Sequence, residues 1–88
     1  MSNSMKDRPV YWECKTDGHS KFWAADIVTR LPKDTSNSQK TYAMVRRWGV
    51  IGTEGQRMEQ PFNELYEAEI ALEKLIWDKE KKGYEPIF

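Results

Sequence analysis

Alternating apolar and polar positions fill the first two thirds of the chain, and a 3.6-residue rhythm fills the rest. Residues 10–15, VYWECK, are rich in aromatic and β-branched side chains and predict a short strand. Residues 16–20 follow as a turn, signalled by Asp17-Gly18. Residues 21–30, KFWAADIVTR, predict a second strand. Its cleaner apolar set, Trp23, Ala25 and Ile27, is expected to face the core, with Phe22, Ala24, Asp26 and Val28 on the other side. Residues 31–40, LPKDTSNSQK, gather Pro, Asp, Ser and Asn and predict a loop. Residues 41–51 predict a third strand. Ala43, Val45 and Ile51 share one face, and Tyr42, Met44, Arg46, Trp48 and Val50 share the other. Gly52-Thr53-Glu54-Gly55 is the expected hairpin turn, because glycine supplies the positive φ such turns need. Residues 56–62 are the returning strand, stopped near Pro61.

From residue 64 the period changes. Leu65, Ala68, Leu72, Leu75, Ile76 and the stem of Lys79 recur at helical spacing and form a core-facing stripe. Asn63 is the expected N-cap, with Glu64 and Glu67 opposing the helix dipole in the first turn. Lys79, Lys81 and Lys82 complement it in the last turn, and Gly83 is the expected C′ residue. The helix is therefore predicted over 64–82. The order implies an α+β fold: a small antiparallel sheet of three to five strands with one long C-terminal helix packed on it.

Composition narrows the classes. The chain has 88 residues, enough for one small domain, with a flexible N-terminus over 1–8 and the folded unit over 9–88. Net charge is zero, which gives no blanket attraction to nucleic acid or to a membrane. Residues 1–60 nevertheless carry ten Lys and Arg against seven Asp and Glu, and residues 61–88 the reverse excess. A mildly basic face follows if the two parts form different surfaces. Cys14 and His19 are single, so neither an internal disulfide nor a metal constellation is expected; they read as a small strand residue and a solvated turn residue. The acids of the helix alternate with lysines, as on a solvated surface, and no nucleophile has a base beside it. No catalysis, cofactor or metal is expected. No apolar run approaches the roughly 20 residues of a membrane span, and the N-terminus lacks the apolar core of a signal peptide. A cytoplasmic, reducing compartment is the expectation.

Several stretches resemble a known family. KFW at 21–23, VRRWG at 45–49, IGTEGQ at 51–56 and FNELYEAEIALEKLIWDKEKKGY at 62–84 resemble the WGR domain, over about residues 10–86. That family occurs in poly(ADP-ribose) polymerases and in bacterial proteins. The resemblance implies an antiparallel sheet crossed by one helix, and a non-enzymatic module that binds the end of a broken DNA strand. It also implies that the motif Trp stacks on the terminal nucleotide and that the motif Arg contacts the phosphate backbone or a neighbouring domain. Trp48 and Gly49 match the motif, whereas Val50 stands at the Arg position. Loss of that cation implies weaker binding than in members that keep it.

Two surfaces are therefore candidates. The first is a nucleic-acid face with Trp48 as a stacking platform, Arg46, Arg47, Arg57 and Lys21 as phosphate contacts, and Gly49 beside them. Against it stands the ordinary fate of a tryptophan, burial within its own domain. Gly49 and Gly52 are also explained by strand twist and turn geometry. The second surface is on the helix. Tyr66, Ile70 and Trp77 fall within about 40° of one another at 100° per residue, opposite Leu72 and Leu75. Such a stripe marks an interface for a protein partner or for self-association, unless the tail 84–88 or the loop 31–40 covers it.

Overall fold

The computed structural model describes residues 10–16, 18–30 and 40–88. The segment 1–8, Asp17 and all but the last residue of the 31–40 stretch lie outside them. Four main strands form in the expected places: β1 at Tyr11–Cys14, β2 at Lys21–Arg30, β3 at Thr41–Val50 and β4 at Gln56–Phe62. Helix α1 spans Leu65–Lys81, and a two-residue strand, β5, spans Glu85–Pro86. The sheet order is β4-β3-β2-β1-β5, with antiparallel neighbours throughout. The α+β architecture is thus a five-stranded antiparallel sheet with one helix across it.

The register explains the core. Trp12 pairs with Trp23, and Trp23 with Trp48, so three tryptophans stand in a row across β1, β2 and β3. Period-two alternation then puts Trp12, Trp23, Ala25, Ile27, Met44, Arg46 and Trp48 on one face. That face receives α1, whose Ala68 and Leu72 are buried against it. Fully burying a Leu- or Met-sized side chain stabilises by about 1.5–3 kcal/mol, so Leu72 and Met44 make this contact a substantial support of the fold. The indole Nε1 of Trp12 also donates to Glu80 Oε2 at 3.0 Å, tying the last turns of the helix to β1. The even positions of β3 therefore face the helix, a choice that the alternation within β3 leaves open.

The ends of α1 show one correction. Its N-cap is Glu64, in an extended conformation and with no side-chain cap hydrogen bond. Asn63 thus lies one residue too early to cap, because the first helical bond runs from the Ala68 amide to the Glu64 carbonyl. Leu65, expected in the buried stripe, is exposed at this first turn. The C-terminus follows expectation. Gly83 adopts φ +105°, its amide donates to the Glu80 carbonyl, and the Tyr84 amide donates to the Lys79 carbonyl. That pair of bonds is the Schellman motif, and it turns Tyr84 back against the core. The chain then pairs with β1 as β5, on the far edge of the sheet from β4.

The opposite sheet face has its own small aromatic centre. Phe22 is buried there, stacked on Tyr11 with ring centroids 5.7 Å apart. The 51–55 turn folds over its edge. A Cβ at Gly55 would run into the Trp48 carbonyl, and one at Gly49 would stand 2.9 Å from Gly55 Cα. The motif glycine is therefore required by the close approach of the hairpin turn to β3.

Candidate nucleic-acid interface

The expected cations divide between the two sheet faces. Lys21, Arg46 and Trp48 lie on the helix side, and Arg47 and Arg57 lie opposite, as cross-strand partners of each other. Gly49 is on the strand between the two sets and presents no side chain. The structure thus brings together half of the expected residues and separates the rest by the thickness of the sheet.

On the helix side a groove of about 360 Å³ opens between the end of α1 and the sheet. Trp23 and Trp48 form its aromatic floor, and Arg46 and Met58 line its sheet side. Leu75, Asp78 and Lys79 line its helix side. Trp48 is the half-buried outer end of the tryptophan row, so part of its ring system remains available.

Arg46 is poorly matched to its neighbours. One Nη2 donates to Met58 Sδ at 2.8 Å and to Gln60 Oε1 at 3.4 Å. Its Nε is buried without a hydrogen-bond partner. A guanidinium whose partners are a thioether, a weak acceptor, and an amide oxygen holds unused donor capacity. Lys79 shares the same corner. Its ammonium lies 5.8 Å from the Trp23 ring centroid and 5.4 Å from that of Tyr84. Burial is the main influence holding Lys79 below the usual lysine range, followed by the positive charge of Lys82. Arg46 and Lys21 push the same way, and Asp78 opposes them. Asp78 is also engaged by Lys82 at 3.4 Å. An anion entering the groove would relieve the mutual repulsion of these cations.

The cations of the other face are tied to the protein. Arg47 donates from Nε and Nη2 to the Glu54 carbonyl, at 3.2 and 2.9 Å, and its guanidinium lies 5.4 Å from the Phe22 ring centroid. Arg57 and Arg30 both donate to Glu59 Oε2, at 2.6 and 2.7 Å, and hold that carboxyl below its ordinary pKa. Arg30 and Lys79 were not expected at either face. Arg30 is the last residue of its strand, and Lys79 was read as an apolar stem and a last-turn charge on the helix. Period-two and 3.6-residue patterns carry no signal for what meets across a fold.

The helix stripe is open among the described residues. Tyr66, Ile70 and Trp77 are 60, 52 and 64% exposed. The tail from Tyr84 runs to β1 instead of over them. Lys81 Nζ lies 4.2 Å from the centroid of the Trp77 ring.

Among the described residues no group of three or more His, Cys, Asp or Glu is placed to hold a metal, and no helix is long and apolar enough to cross a membrane. Compared with known proteins, the chain matches the family model of the WGR domain over residues 10–87. No curated protein matches it, and no solved structure does.

Proposed function

The chain belongs to the WGR domain family, generally a family of nucleic-acid-binding modules, and from that premise we propose that it binds a nucleic-acid strand end in the groove beside Trp48. In this reading Trp48 stacks on an unpaired terminal base, and Arg46, Lys21 and Lys79 meet the adjacent phosphates. Stacking of this kind contributes roughly 1–3 kcal/mol per base and tolerates any base. The supporting observation is Arg46: a half-buried guanidinium with an orphaned Nε, next to an aromatic platform and among like charges. Phosphate supplies the strong acceptors that Met58 and Gln60 do not.

Arg47 and Arg57 take a lesser part in this proposal. They meet only a backbone segment that passes around β4, the edge strand, and each is already held by Glu54 or Glu59. Val50 is 57% exposed and pairs with Lys21, so the missing motif cation belongs at the rim of the same groove. Binding is accordingly weaker than the same groove would give with arginine at position 50.

Resonance mapping tests the location. Adding a single-stranded oligonucleotide to labelled protein should shift the Trp48 indole N–H and the Arg46 Nε–H. Shifts confined to Arg47, Arg57 and Phe22 would move the site to the opposite face.

A second reading rests on the exposed stripe. Tyr66, Ile70 and Trp77 form an apolar strip with charged flanks, the anatomy of a protein-contact surface. We propose it as a contact surface separate from the groove.

A further inference from the structure

We propose that Met58 is an oxidation site and that its sulfoxide closes the Arg46 groove, so that a peroxide-class oxidant lowers nucleic-acid binding. This rests on the groove being the binding site, but the chemistry itself does not. Met58 is on an edge strand, β4, and 48% exposed, which opens the residue to an oxidant from solvent. Met44, the other methionine among the described residues, is 0% exposed beneath α1 and serves as a built-in comparison. The Met58 thioether already lies against Arg46, 2.8 Å from Nη2.

Oxidation transfers one oxygen atom from the peroxide to sulfur. The thioether is oxidised by two electrons, the peroxide O–O bond breaks, and water leaves when hydrogen peroxide is the oxidant. A thioether is a weak acceptor, whereas the sulfoxide carries a strongly polar oxygen. That oxygen is formed beside a guanidinium with an unsatisfied Nε. The expected product is an Arg46–sulfoxide hydrogen bond that occupies the donors meant for phosphate. A methionine sulfoxide reductase would restore the open state.

The experiment treats the folded chain with hydrogen peroxide and follows three readouts. Peptide masses should show Met58 gaining one oxygen well before Met44. The Arg46 Nε–H resonance should shift on oxidation in the wild type and stay still in Met58→Leu. Affinity for a single-stranded oligonucleotide should fall roughly tenfold on oxidation, the worth of one charge-assisted hydrogen bond, in the wild type and not in Met58→Leu. An unmoved Arg46 resonance, or Met44 oxidising as fast as Met58, overturns the proposal whatever the binding result. If the resonance shifts and the wild type binds no oligonucleotide, the methionine–arginine chemistry stands, and both the groove as a binding site and the proposed redox control fail. A resonance shift with undiminished affinity overturns the redox control alone.

Discussion

Arg46 and Arg47 are neighbours in sequence and face opposite sides of the sheet. Arg46 turns into the groove under α1, toward Met58 and Gln60. Arg47 turns out, clasps the Glu54 carbonyl and covers Phe22. One residue of strand separates a guanidinium with an orphaned Nε from one that holds a turn through Nε and Nη2.

The two should therefore fail differently on substitution. Arg47→Gln should lower stability by about 1 kcal/mol, the typical net worth of a hydrogen bond at an exposed site, and leave oligonucleotide affinity nearly unchanged. Arg46→Gln should do the reverse, weakening binding while urea unfolding moves little. Urea midpoints and anisotropy titrations on both variants decide the assignment. Equal binding losses from the two would mean that the sheet faces do not act separately.

Much of this arrangement was legible in the chain, and the parts that were not share a cause. Trp23, Ala25 and Ile27 announce a buried face through strict alternation, and Ala68 and Leu72 do so through helical spacing. Gly83 marks the helix stop by its own conformational needs. β5 gave no such signal, because two residues including a proline form a strand only where β1 offers a partner. The side of β3 that α1 covers was also hidden. Met44, Arg46 and Trp48 read as a mixed face, and long-range packing decides that it is the inner one. Alternation alone sets Arg46 beside Trp48 and Arg47 opposite, but cross-strand register decides that Lys21 joins the first and Arg57 the second. Lys79 joins Arg46 across 33 positions of sequence, a distance that local patterns do not span.

Restoring the motif cation tests the position of the groove. Val50→Arg should tighten binding most at low salt. On duplex ends one added phosphate contact should steepen the log–log salt dependence by about 0.9. Because Val50 is largely exposed, the thermal midpoint should barely change. An unchanged salt slope would place position 50 away from the phosphates.

The Arg30–Glu59–Arg57 bridge predicts a pH response. Hydrogen bonds from the two arginines hold the Glu59 carboxyl below its ordinary value of 4.5. A carboxylate lowered in this way stabilises the fold above that ordinary value, and the contribution is lost as pH falls through the lowered folded-state pKa. Glu59→Gln should therefore flatten the acid limb of the stability curve. Identical acid limbs for both proteins would show that the bridge adds nothing in solution.

Trp77→Glu probes the helix stripe. The ring is solvent-facing, so the domain should stay folded, with a stability change within about 1 kcal/mol including the lost Lys81 contact. If the stripe is a contact surface, self-association or partner binding should weaken by about 2 kcal/mol or more. Sedimentation and circular dichroism separate the two effects. An unfolded variant would show that the ring supports the fold instead.

The most direct measurement is the affinity of wild type and Trp48→Ala for single-stranded, nicked and blunt-ended oligonucleotides at two salt concentrations. The groove reading predicts preference for DNA with a free or unpaired end and affinity that falls with salt. It also predicts a loss of roughly 1–3 kcal/mol in a folded Trp48→Ala. Wild-type affinity retained by a folded Trp48→Ala, or no binding to any of the three at low salt, would contradict it.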